Sequence, residues 1–208
     1  MSFGNSVGVV GYGGGNTGSV ARALDRLGAD VTLASKPDEL GTVSRVVIPG
    51  VGSFKNAMLT LRDSGWIELL QTHVNAGKPL AGICLGMQLL MDSGEEGGGH
   101  SGLALIAGSV SSMKVNQGDK LPHMGWNDIS VSQSHKLLEG VRPGSDYYFA
   151  HSYVVRPSDP DAIVATTTYG EQFASIIASD NVVGFQFHPE KSPPMGRVLL
   201  ANFLKWNP

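Results

Sequence analysis

The sequence predicts a single-domain α/β fold: a mostly parallel central sheet flanked by helices, with an antiparallel extension. Three observations carry this. Over roughly the first hundred residues, short apolar runs alternate with segments whose apolar residues recur at helical spacing, the pattern of parallel strands joined by helical crossovers. Beyond about residue 105 the rhythm changes to strand-like runs separated by turn residues. Finally, 208 residues with 41% hydrophobic content suffice to bury one full core, so one domain over residues 1–208 is expected.

Taken in order, "SVGVVGYG" (6–13) reads as a buried first strand running into a glycine-rich turn. Residues 17–27 follow as a helix, because Val20, Ala23, Leu24 and Leu27 share one face. "ADVTLAS" (29–35) and "SRVVIPG" (44–50) are the second and third strands. Helices are expected over 54–64 and 66–76, with Gly77 as a stop. "KPLAGI" (78–83) is the fourth strand, and 85–92 is helix again. Strand-like pieces then fall at 108–115, 127–132, 146–155, 162–170, 173–179 and 181–188, an antiparallel extension of the same domain. "MGRVLLANFLKW" (195–206) closes the chain as an amphipathic helix.

Composition excludes several functions. The formal net charge is -3 and there is no Lys/Arg run, which argues against a nucleic-acid partner. No apolar run approaches membrane-spanning length, and "MSFGNSVGVVGYG" lacks the basic region and apolar stretch of a signal peptide. A single cysteine forms no internal disulfide, and together these features predict a cytoplasmic protein with no membrane partner. Glycine is the outlier, 28 of 208, so many backbone positions need tight turns or close approach.

That single cysteine is the first candidate for chemistry. In "PLAGICLGMQLL", Cys84 sits at the join of a strand and a helix, between Gly82 and Gly86. This is the Gly-x-Cys-x-Gly form of a nucleophile elbow, in which a strained turn exposes the nucleophile and the glycines relieve crowding. The helix N-terminus favours the thiolate, and the Leu85 amide lies where it can meet an oxyanion. A buried structural cysteine is the competing reading.

A base is available in "VVGFQFHPEKS". Strand alternation puts Val183, Phe185 and Phe187 on one face and Gln186, His188 and Glu190 on the other, with the strand ending at Pro189. Glu190 is then placed to hold the tautomer of His188, which would take the thiol proton and return it to a leaving amine. The remaining histidines, His73, His100, His123, His135 and His151, form no recognised metal spacing, so no metal and no cofactor are predicted. "VVIPGVGSF" ends a strand at a loop with two glycines, and an amide around Val51 or Gly52 is a second candidate oxyanion donor.

The order Pro-Gly-Val-Gly, Gly-Ile-Cys-Leu-Gly-Met-Gln and Phe-His-Pro-Glu resembles the class I (triad) glutamine amidotransferases over nearly the whole chain. The resemblance implies a flavodoxin-like core, Cys84 as nucleophile, His188 as base and Glu190 as its partner, acting on glutamine. It also implies that Gly50, Val51 and Gly52 form the oxyanion loop, and that Gln88, Glu96, His151, Ser152 and Tyr153 line the glutamine pocket. Within the class, "LPHMGWN", "YYFAHSY", "GNTGS", "SGEE" and "ATTTYG" are similar to the glutaminase subunits of imidazole glycerol phosphate synthases. This implies a heterodimer with a cyclase subunit of histidine biosynthesis. The loop Pro122, His123, Met124, Gly125, Trp126, Asn127 is the candidate docking site, with Met124 and Trp126 as anchors; Trp126 packed in the core is the alternative. The sequence departs from the family at Gly11, where an aspartate is common.

Two other functions fit parts of the chain. The triad alone equally suits an amidotransferase subunit feeding another synthase, such as a sugar-amidating enzyme. Residues 13–18 also match Gly-x-Gly-x-x-Gly after a strand and before a helix, the pattern of a nicotinamide-dependent oxidoreductase. The acidic residue expected after the second strand is absent, since Ser35 and Lys36 stand there.

Overall fold

The computed structural model describes residues 4–13 and 15–208. Residues 1–3, which begin the stretch compared with a signal peptide, and Gly14 of the Gly-x-Gly-x-x-Gly pattern lie outside the described residues. The chain runs β1 (Ser6–Val10), α1 (Thr17–Asp25), β2 (Asp30–Ala34), β3 (Arg45–Gly50), α2 (Phe54–Asp63), α3 (Trp66–Asn75), β4 (Leu80–Cys84) and α4 (Leu85–Leu89). There follow β5 (Ser93–Gly94), β6 (His100–Ser101), β7 (Gly108–Ser112), β8 (His123–Asp128), β9 (Ser130–Val131), β10 (Asp146–His151) and β11 (Tyr153–Pro157). The last elements are β12 (Ile163–Tyr169), β13 (Glu171–Ser179), β14 (Val182–Phe185) and α5 (Met195–Lys205).

Among the described residues the main sheet has the strand order β2-β1-β3-β4-β14-β13-β12-β9. The pairs from β2 to β14 are parallel, and those from β14 to β9 are antiparallel. The parallel strands are continuous apolar runs because both of their faces are covered. Val7, Val9, Val47 and Ile83 share a core with Val20 and Leu24 of α1 and Leu199, Leu200 and Phe203 of α5. Val46, Ile48 and Leu80 point the other way, into a core with Phe54, Met58, Leu61, Trp66 and Leu70 of α2 and α3. Arg45, 1% exposed, ties α5 to the sheet by donating to the carbonyls of Phe203 (3.1 Å), Trp206 (2.9 Å) and Gly4 (2.7 Å).

The mostly parallel sheet flanked by helices is as expected, but its periphery needs correction. Only β13, β12 and β9 extend the main sheet; β10-β8 and β11-β7-β5-β6 form two smaller sheets. The piece read as one strand over 146–155 bends at Ser152, sending β10 and β11 to different sheets. The first strand stops at Val10, because the chain turns through Gly13 at φ 87°. The helix expected over 85–92 is α4 and ends at Leu89, where Leu90 and Met91 donate to Met87 and Gln88 in a tighter final turn. The strand expected to reach Pro189 ends at Phe185, and residues 189–191 form a 3₁₀ turn. The candidate docking loop is a strand, β8, paired antiparallel with β10.

Candidate functional site

Parallel pairing brings the chemistry to one sheet edge. Gly50 is the partner of Cys84 in the β3–β4 register, and Phe185 is the partner of Ile83 across β4–β14. The ends of β3, β4 and β14 therefore meet at the carboxyl edge of the sheet, where open α/β sheets bind ligands. Cys84 is the N-cap of α4 and holds φ 55°, ψ -111°, a conformation that costs a non-glycine residue of order 1–3 kcal/mol. The elbow is tight enough to demand its glycines. A Cβ on Gly86 would lie 1.8 Å from the Ile48 carbonyl oxygen, and one on Gly82 would lie 2.5 Å from that of Gly86.

His188 is 2% exposed and stands beside Cys84, close enough for the thiol to shift the charge of the imidazole. Its Nδ1 donates to Glu190 Oε1 at 2.8 Å. The pair meets through the 3₁₀ turn, with His188 as its N-cap, rather than through strand alternation. Burial pushes the imidazole pKa down, but Cys84, the hydrogen bond to Glu190 and the charges of both outweigh it, raising the pKa to about 9. Cys84 Sγ lies 3.8 Å from the Ala150 carbonyl. Asn16, the residue capping α1, donates its amide to the same Glu190 oxygen.

A cleft of about 360 Å³ opens over the sulfur. Val51, Gly52, Leu85, Gln88, Glu96, His151, Ser152 and Tyr153 all line it, so the structure gathers nearly the whole predicted pocket in one place. Gly50 lies below, where a Cβ would meet the Tyr12 hydroxyl at 2.5 Å and the Gly86 nitrogen at 2.9 Å. Leu85 opens α4, so its N–H has no acceptor within the helix. Gln88 Nε2 donates to the Tyr153 carbonyl at 3.0 Å and to Gln186 Oε1 at 3.3 Å. Glu96 accepts from the Phe54 N–H at 2.6 Å, which anchors it at the N-terminus of α2.

The predicted docking group divides in two. Met124 and Trp126 are 64% and 57% exposed, so Trp126 is not a core residue. Pro122 lines the cleft, and Gly125 adopts φ 142°. His123 is 3% exposed on the inner face of β8, stacked on Tyr169 and Phe149 at centroid distances of 4.2 Å and 4.8 Å. It offers no surface in the free chain. Its Nδ1 lies 3.2 Å from His151 Nε2, and its Nε2 lies 3.3 Å from Asn127 Nδ2.

Sequence reasoning assigned no role to Tyr148, Ala150 and Lys191, which also line the cleft, or to Asn16 and Gln186, which hold Glu190 and Gln88. Alternation along β10 was the available signal: Tyr147, Phe149 and His151 are buried, which turns Tyr148 and Ala150 the other way. Asn16 lies at the other end of the sequence from Glu190, and nothing local announces the contact. It also means that the segment read as a dinucleotide turn directs its asparagine at the histidine–glutamate pair. Among the described residues no group of three or more His, Cys, Asp or Glu side chains stands together to hold a metal ion. No helix among them is long and apolar enough to cross a membrane.

Comparison with known proteins agrees with this geometry. The chain is 44% identical over 200 residues to the imidazole glycerol phosphate synthase subunit HisH of Desulfitobacterium hafniense (strain DSM 10664 / DCB-2), covering 96% of this chain and 94% of that one. It is 42% identical to the subunit of the same name from Moorella thermoacetica, covering 95% and 93%. Among solved structures, PurLQS from Thermotoga maritima superposes with a TM-score of 0.76 at 19% identity, covering 98% of each chain, and a glutamine amidotransferase superposes at 0.72 and 21%, covering 94% and 98%. Those two show the fold alone. The glutamine amidotransferase class-I family matches residues 9–206, and the chain belongs to that family.

Proposed function

We propose that this chain hydrolyses glutamine to glutamate and ammonia, as the glutaminase subunit of an imidazole glycerol phosphate synthase in the cytoplasm. One observation carries the reading: the sulfur at the strained elbow faces an imidazole that is itself held by a buried carboxylate. Sγ attacks the side-chain amide carbon of glutamine. The resulting oxyanion meets the Leu85 N–H and an amide of residues 50–52. His188 gives a proton to the leaving nitrogen and ammonia departs, leaving a Cys84 thioester. Water, deprotonated by His188, then cleaves the thioester and releases glutamate. Glu96, the one carboxylate among the described residues that line the cleft, suits the α-ammonium of a free amino acid.

Released ammonia becomes ammonium in water and is then no nucleophile. A partner enzyme that receives it through a shielded path is therefore part of the reading. The relatives named above are subunits of imidazole glycerol phosphate synthase, which favours a cyclase acceptor over a sugar-amidating synthase. Exposed Met124 and Trp126 beside the cleft suit its docking. The decisive experiment replaces the nucleophile. Cys84→Ala should lose glutamate release by at least about 10³-fold while its circular dichroism and melting stay near those of the parent chain. Turnover close to that of the parent would remove Cys84 from the mechanism.

A further inference from the structure

A chain of four polar groups runs from the far side of β8 to the floor of the cleft, and chemistry fixes the direction of every link. At one end, His151 Nδ1 lies 2.9 Å from the Tyr153 carbonyl oxygen. A carbonyl only accepts, so Nδ1 carries the proton. His151 is 5% exposed, and its pKa is lowered to about 3, chiefly by burial. The ring is therefore neutral, and Nε2 bears its one ring lone pair. The group facing that lone pair is His123 Nδ1 at 3.2 Å, which must then be the donor. His123 is neutral for the same reason, its pKa lowered by burial to about 4, so its Nε2 is an acceptor. Asn127 Nδ2 faces it at 3.3 Å and donates. At the other end, the remaining amide hydrogen of Asn127 goes to the Thr168 carbonyl at 3.1 Å, while its oxygen accepts from the Asp128 N–H at 3.0 Å. Terminal carbonyls thus dictate one tautomer for each ring, Nδ1–H in both.

This arrangement fixes a side chain of the site. His151 lines the same cleft as Cys84 and lies close enough to His188 for their charges to interact. We infer that His123, backed by Asn127, is a positioning residue: by donating to the ring lone pair of His151 it fixes that ring against the Tyr153 carbonyl at the floor of the cleft. The same chain steadies the Tyr153 carbonyl, which also receives the Gln88 amide, so it holds the floor on which the substrate rests. The link is built into β8, whose outer face carries Met124 and Trp126. A protein pressing on that outer face acts on the strand that sets the His151 tautomer. The inference rests on the glutaminase reading and adds to it residues that touch neither sulfur nor substrate.

The test uses the full chain with ¹⁵N-labelled histidine. In the parent, the His151 signals should show a protonated Nδ1 and a bare, hydrogen-bonded Nε2, unchanged between pH 6 and 8. His123→Phe keeps the stacking on Tyr169 and Phe149 but removes the donor. It should shift the His151 Nε2 signal and raise KM for glutamine about five- to tenfold, the worth of one hydrogen bond, with a smaller change in kcat. His123→Asn puts an amide N–H in place of Nδ1 and should recover both. The inference fails if the parent His151 is protonated at Nε2, or if His123→Phe leaves its signals untouched. It fails equally if Asn restores no more than Phe, since the loss is then one of packing. A parent chain with the stated tautomers but no glutamine hydrolysis would overturn the glutaminase reading and leave the tautomer relay standing.

Discussion

At Gly86 the backbone geometry is unforgiving. A methyl group there would lie 1.8 Å from the Ile48 carbonyl oxygen, an atom held by the pairing of β3 with β4. A side-chain neighbour can rotate away, but a sheet carbonyl cannot. Gly86→Ala should therefore push α4 off the sheet, cost about 3 kcal/mol and lower Tm by roughly 6–12 °C. It should also abolish glutamine hydrolysis even at temperatures where the chain remains folded, because Cys84 moves with α4. A variant that melts with the parent would show that the elbow has slack that the geometry denies. The need for glycine here was legible in the sequence, because a Gly-x-Cys-x-Gly join between strand and helix has only one tight solution. The Glu190 contact with Asn16 was not legible, since it spans most of the chain and rests on a left-handed residue, φ 75°, that no local pattern marks. The His123–His151 pair was hidden similarly: each histidine reads as an isolated residue, and only the β8–β10 pairing places them opposite each other.

Elements that bury two faces were read more accurately than those that bury one. The parallel strands are uninterrupted apolar runs, and the predicted third and fourth strands recover β3 and β4 within two residues at either end. β8 escaped because its alternation mixes a buried histidine and a half-buried glycine with an exposed methionine and tryptophan, inverting the usual inside-outside composition. That inversion carries its own test. Large apolar side chains more than half exposed on a short strand beside the cleft need a reason, and a docking partner supplies one. Met124→Ser combined with Trp126→Ser should leave Tm within a few degrees of the parent, as neither side chain is core. The pair should weaken binding of the cyclase subunit at least tenfold and lower the glutaminase stimulation it gives at a fixed concentration. Unchanged affinity in a titration calorimeter would remove β8 from the interface.

Over the whole molecule, the histidines make stability depend on pH in two opposed ways. His73 and His123 have pKa values lowered to about 4, and His151 to about 3, in each case chiefly by burial. His135 is lowered in the same sense. The unfolded chain takes up protons at these positions below its ordinary pKa of 6.5, while the fold refuses them. Their contribution is complete above pH 6.5 and is lost as pH falls toward 4 and then 3. His188 has the opposite sign. Its pKa, raised to about 9, means that the fold retains a proton which the unfolded chain gives up above 6.5. That contribution is complete below pH 6.5 and is lost as pH rises through 9. Tm should accordingly peak near pH 7, since four histidines feed the acid limb and one the alkaline limb, and decline on both sides in a series from 5 to 9. The alkaline limb can be assigned by mutation, because two of the four influences that raise the His188 pKa come from Cys84. Cys84→Ala should lower that pKa and flatten the decline between pH 7 and 9, while leaving the acid limb unchanged. An alkaline limb equally steep in both proteins would mean that the histidine facing the sulfur is not the group that titrates.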